Sequence, residues 1–134
     1  MKNIVETAMD AGSFKTLVNA VKAAGLVTTL SGNGPFTVFA PNDAAFAKLP
    51  SKQIQDLLGD RKRLRSVLTY HVVSGRISST DVSKLHSART IMGQDVSIDS
   101  SKGVMIGDAR VIQKDIQCSN GVIHVIDKVL MPRA

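Results

Sequence analysis

Asn120-Gly121-Val122-Ile123-His124-Val125-Ile126 is the stretch on which the fold turns. Side chains alternate across a strand, so Val122, His124 and Ile126 share one face while Ile123 and Val125 share the other. Both faces are apolar enough to be buried, which predicts a central strand. Asn120-Gly121 stands between this strand and an expected strand over 116–119, and the dipeptide tolerates the positive φ angles of a type I′ hairpin turn. Working back toward the N-terminus, the period of two persists. Val96 and Ile98 alternate with Asp95, Ser97 and Asp99, and Val104-Met105-Ile106 sits between Gly103 and Gly107. A strand is expected over 88–92, a short helical or irregular crossing over 79–85, and a pair of strands, Val72-Val73 and Arg76-Ile77, around a Ser74-Gly75 turn.

Upstream of His71 the spacing becomes helical. Asn3 and Glu6 have capping-box spacing, Ile4 with Ala8 and Val5 with Met9 give an apolar stripe, and Gly12 stops the helix. Ser13 is placed to cap a second helix in which Phe14, Leu17, Val18 and Val21 line one face, with Gly25 after its end. A turn at Asn33-Gly34-Pro35 leads to a short strand over 36–40 that Pro41 terminates. Asp43 is expected to cap a helix over 44–49, followed by helices over 52–58 and from an Asp60 cap to Thr69 that buries Leu64, Val67 and Leu68. Helices followed by strands, without βαβ alternation, give an α+β class.

The chain has 134 residues, 43% of them hydrophobic, with ten Gly and four Pro, so it suits one globular domain, 1–134, rather than a disordered or collagen-like chain. No apolar run reaches the length of a membrane span. In the opening Met1-Lys2-Asn3-Ile4-Val5-Glu6 an acid stands where a signal peptide needs its apolar stretch, so an export signal would be encoded upstream. The formal charge of +6 favours anionic partners through long-range, salt-sensitive attraction. A lone cysteine, Cys118, excludes an internal disulfide. HExxH, GxSxG and phosphate-loop patterns are missing, so the residues argue against an enzyme and call for no cofactor or metal, and without an Asn-x-Ser/Thr sequon N-glycosylation is not expected.

Three stretches together carry a resemblance. Thr37-Val38-Phe39-Ala40-Pro41-Asn42-Asp43-Ala44-Ala45-Phe46, then Tyr70-His71-Val72-Val73, then Asn120 onward through Val129-Leu130-Met131-Pro132 are similar in order and spacing to the first block, the Tyr-His motif and the second block of the fasciclin (FAS1) family. Ile4-Val5-Glu6-Thr7-Ala8 and Ala24-Gly25-Leu26 extend the likeness over nearly the whole chain. Asn42 stands where members often carry Thr, and Ala45 where an acid is common. The resemblance is to a single bacterial or archaeal-type domain, and it implies a wedge-shaped β-sandwich of about seven short strands with several helices around it. It also implies a secreted, periplasmic or membrane-anchored setting and a role in adhesion. A structural spacer or assembly domain of a larger surface protein is the alternative. The short tail Arg133-Ala134 fits an isolated domain or one excised from a longer protein.

In animal members the Tyr-His motif belongs to an adhesion surface, which makes Tyr70 and His71 candidate partner contacts. Against this, Tyr70 can pack at a helix end with its hydroxyl bonded, and His71 can be a hydrogen-bonded core residue. Gln113-Lys114-Asp115-Ile116-Gln117 is similar to the Asp-Ile motifs of integrin-binding members, with Asp115 as carboxylate and Ile116 as apolar anchor. The alternative reading is a strand-end turn with Ile116 in the core. His124 is expected to be buried and His86 exposed. Arg61, Lys62 and Arg65 form a cationic helical face, either merely solvated or a patch for acidic polysaccharide or anionic lipid, with Lys48 and Lys52 nearby. A cell-surface or matrix protein is the other expected partner. Specific nucleic-acid binding is not expected, because Phe14, Phe36, Phe39, Phe46 and Tyr70 all fit buried patterns. A monomer is expected, with Cys118 either buried or paired between molecules.

Overall fold

The computed structural model describes residues 3–12, 14–32, 35–82, 84–99, 104–107 and 109–130, leaving aside the side chains at 58, 79 and 80. Helix α1 (Ile4–Ala11) starts with a full capping box, in which Asn3 Oδ1 accepts from Glu6 N–H at 2.8 Å and Glu6 Oε1 accepts from Asn3 N–H at 3.2 Å. It ends at Gly12, whose φ of 74° suits glycine. Ile4, Val5 and Ala8 are buried, but Met9 faces out.

Helix α2 (Lys15–Ala24) has no side-chain cap of its own. The Thr16 amide, one of its free N–H groups, donates instead to Asp43 Oδ1 at 2.9 Å. The expected capping residue Ser13 lies outside the described residues. A short α3 (Val27–Leu30) leads to β1 (Phe36–Pro41) and α4 (Asp43–Ala47). Asp43, expected to cap α4, does not; Asn42 does, accepting from Ala45 N–H at 2.8 Å. An extended Asn42 backbone puts its oxygen over the amide three residues ahead, which frees Asp43 to reach α2. Ala45 at that third position has no carboxylate to complete a capping box.

Helix α5 (Ser51–Gly59) and α6 (Arg61–Thr69) follow as expected, the second capped by Asp60 and burying Leu64, Val67 and Leu68. The remaining elements are β2 (Val72–Ser74), α7 (Ser79–Val82), β3 (Ser87–Arg89), β4 (Asp95–Asp99), β5 (Met105–Ile106), β6 (Ala109–Cys118) and β7 (Gly121–Ile126). Arg76-Ile77 is not a strand. Thr37 Oγ1 donates to the Gly75 carbonyl at 2.6 Å and accepts from Ile77 N–H at 2.8 Å, turning the chain off the sheet. Of the strand expected over 88–92, only its start is ladder; Thr90 makes a single bridge to Val73 and the chain turns at Ile91.

Strand order is β2-β1-β7-β6-β5-β4-β3. All neighbours are antiparallel except β1 and β7, which run parallel from Phe36 opposite Gly121 to Pro41 opposite Ile126. The Val73–Thr90 bridge and an Ile91 N–H bond to the Val72 carbonyl at 2.8 Å bring the two ends of the order together. The sheet therefore wraps an inner core to which every strand contributes, from Phe39 and Val73 through Ile106 and Ala109 to Ile126. An outer core lies between the sheet and the helices, where Val38, Ala40, Ile123 and Val125 meet Phe46, Leu17 and Leu64. Ile126 and Ile123 fall into different cores, as strand alternation predicted.

The hairpin differs in its chemistry. Neither Asn120 nor Gly121 has positive φ, and Gly121 already pairs with Cys118, so the loop is Ser119-Asn120 rather than a type I′ Asn-Gly turn. Gly121 is required by proximity. A Cβ there would collide with the Phe36 carbonyl oxygen and lie 2.8 Å from Ile4 Cδ1. Buried Asn120 accepts from the Ile4 amide at 3.0 Å and donates to the Leu30 and Gly32 carbonyls at 2.6 and 2.8 Å. It thus satisfies free backbone groups at the start of α1 and the end of α3.

Candidate functional site

His71 follows the end of α6 and is 1% exposed, so it is not part of a contact surface. Its Nε2 lies 2.8 Å from the Leu130 amide, which can only donate, so that nitrogen carries no proton and Nδ1–H donates to the Val67 carbonyl at 2.7 Å. Burial pushes its pKa down to about 4, against a smaller opposing effect of the Val67 bond, and the ring stays neutral. The imidazole ties the end of α6 to the segment after β7. Tyr70 is held at the surface above it.

Tyr70 is half-buried, its ring against the inner core and its hydroxyl donating to the Asp95 carbonyl at 3.3 Å. Its other side lines an open cleft of about 550 Å³ with Ser87, Arg89, Gln94, Asp95 and Ser97. Arg89 and Asp95 form an ion pair at 3.4 Å with side chains 77% and 55% exposed. The cleft offers an aromatic ring, hydroxyls, an amide and both charge signs to a partner. Sequence spacing gave no sign of it, because β3 and β4 meet the end of α6 only after the sheet has closed.

Asp115 sits in β6 with φ 58°, the one non-glycine residue in the left-handed region among the described residues. The register against β7 slips between Val111 and Gln113 and again between Gln113 and Ile116, the mark of β-bulges. Its amide donates to His124 Nδ1 at 3.2 Å, and His124 Nε2–H donates to the Ile77 carbonyl at 2.8 Å. His124 is 1% exposed and stacked on Phe39, with ring centroids 5.9 Å apart. Asp115 itself is partly exposed, whereas Ile116 packs against the outer core. The apolar side chain that this strand offers to solvent is Ile112, 52% exposed, which the sequence reading passed over. Its signal was the break in alternation after Val111. Tyr70 and Asp115 are not brought together: the Tyr70 cleft is lined by the end of α6 and by β3 and β4, whereas Asp115 sits on β6.

Arg61, Lys62 and Arg65 are all exposed on α6, and Lys52 is exposed on α5. Lys48 is engaged elsewhere, its ammonium donating to the Asp127 carbonyl at 2.7 Å. Cys118 is buried and burial pushes its thiol pKa up, so no thiol is presented for pairing between molecules. Among the described residues no three His, Cys, Asp or Glu side chains converge where a metal ion could sit.

Comparison with known proteins adds a sequence and a structural likeness. The chain is 47% identical to the uncharacterized protein sll1735 of Synechocystis sp., over 98% of each chain. It is 40% identical over 110 residues to the cell surface glycolipoprotein MPB83 of Mycobacterium bovis, matching 81% of this chain but about half, 49%, of that relative. In three dimensions it resembles a FAS1 domain pair from the insect cell adhesion molecule fasciclin I, with a TM-score of 0.75 at 18% identity, over 98% of this chain and 51% of that one. The Fasciclin domain profile matches residues 12–132, and with the seven-stranded sheet and its surrounding helices it shows that the chain belongs to the fasciclin domain family.

Proposed function

We propose that the chain is a single non-catalytic recognition module that works outside the cytoplasm, on a cell surface or in a matrix, and binds a protein or glycan partner through exposed polar surface. The observation that carries this reading is the cleft beside Tyr70, where a half-buried ring borders a polar rim open to solvent. A rigid aromatic set among hydrogen-bonding groups is a common composition of a binding contact. Asp115, displayed on its bulge, is the second contact. The buried histidines are fully engaged with the backbone and serve as supports.

The relatives favour the same setting. One is named as a cell surface glycolipoprotein, and the structural neighbour comes from a cell adhesion molecule. Among the described residues no helix is long and apolar enough to cross a membrane.

Pull-down from surface extracts tests the reading with Tyr70→Ala and Asp115→Asn, the second chosen because Asn also tolerates the left-handed region. At least one interaction should weaken tenfold or more in each variant. A folded double variant that keeps every interaction would instead favour a spacer or assembly role.

A further inference from the structure

We infer that the crest of α6, built from Arg61, Lys62 and Arg65 and extended by Lys22, is a docking surface for an acidic polysaccharide. The inference rests on the proposed recognition role and names a second partner class at a different face. Its first support is geometric. Arg61 and Arg65 stand one helical turn apart on the same flank, with Lys62 beside them on the crest, while Leu64 turns inward. The Arg61 guanidinium lies across the end of α2, where a Cβ on Gly25 would come within 2.5 Å of its Nη2. Lys22, one turn before Gly25 on α2, is exposed.

The second support is electrostatic. Beyond the Asp60 cap, the first turn of α6 holds cations at the positive end of the helix dipole and no further acid. Arg61 and Arg65 are a like-charge pair at the spacing that destabilises a helix. Among the described residues, none of the three cations is within ion-pairing distance of a carboxylate. An arrangement that opposes the helix is offset when a polyanion lies along it.

Other occupants fit less well. A lipid surface would be gripped by apolar side chains beside the cations. Among the described residues the large exposed apolar side chains, Met9, Ile91 and Ile112, lie on other elements. Single-stranded nucleic acid would need rings on which to stack, and α5 and α6 carry none. Guanidinium forks match carboxylate and sulfate oxygens in pairs, which suits a chain bearing uronates or sulfates.

The test measures binding of a heparin fragment against salt concentration, with neutral dextran, anionic vesicles of phosphatidylglycerol and single-stranded DNA as comparisons. Lys62→Gln with Arg65→Gln should weaken heparin binding about tenfold and lower the slope of log K against log salt by roughly two. Lys15→Gln with Lys84→Gln removes the same charge elsewhere and should change affinity less than threefold. Thermal melting confirms that each variant is folded. Equal loss in both pairs, no loss in the crest pair, or vesicles or DNA bound as tightly as heparin would each overturn the inference. Tyr70→Ala should leave heparin binding intact, so loss of the crest effect with a Tyr70-dependent pull-down sinks only this inference, and the reverse pattern sinks only the proposed role.

Discussion

The Tyr70 corner and the Asp115 bulge follow one plan with different stakes. In each, a buried histidine uses both ring nitrogens on backbone groups and holds a more exposed neighbour in place. His71 makes two bonds to fully buried groups and joins helix α6 to the residues after β7. His124 bonds to groups that are only part-buried, holding a strained bulge in β6 against the segment after β2. Water can reach the second pair of partners if the ring is lost, but not the first. The difference teaches that a residue's conspicuousness in sequence does not say whether it touches a partner or supports the residue that does.

The largest break in this comparison should come from His71→Ala. It leaves the Leu130 amide and the Val67 carbonyl unpaired in a closed core, for a loss of about 3–5 kcal/mol in urea unfolding. His124→Ala should lose about 2–3 kcal/mol by the same measurement, because its partners can rehydrate. Equal losses would erase the distinction between the two corners.

The comparison sharpens with pH. His71 is held near 4 when folded, below the ordinary histidine value of 6.5, so the unfolded chain takes up the proton first as pH falls. The stability that depends on its neutral ring is complete above about pH 6.5, declines through pH 4, and is flat below, by about 3 kcal/mol in all. Denaturation midpoints between pH 7 and 4 should show the decline in the native protein, and His71→Gln should lack this part of it. A smaller effect belongs to the bulge. Asp115→Val should destabilise by about 1–2 kcal/mol through backbone strain, whereas Asp115→Gly should stay within about 1 kcal/mol of the native protein.

How much of this was legible follows from where each signal resides. The inner strand of Val122, His124 and Ile126, the caps at Asn3 and Asp60, and the buried face of α6 were all readable, because each is a local periodicity or a contact three residues away. Residues at longer range were misassigned. Asp43 was given to the nearest helix and caps another; Asn120-Gly121 was read as turn chemistry and is a junction between hairpin, β1 and two helices. The parallel pairing of β1 with β7 left no trace that a turn residue could show. His71 carried a motif but not its depth, and the Tyr70 cleft had no sequence signature.

Local backbone preference and side-chain alternation are written in the order of residues, and they determined here most of the helices and longer strands, which strand is innermost and which faces are apolar. What meets across the sheet came from closure of the ladder at Val73 and Thr90 and from the approach of Phe36 to Gly121. Burial and free backbone groups exist only after distant segments have packed. Whether a histidine supports or contacts, and which amide an aspartate caps, was therefore decided by the tertiary structure alone.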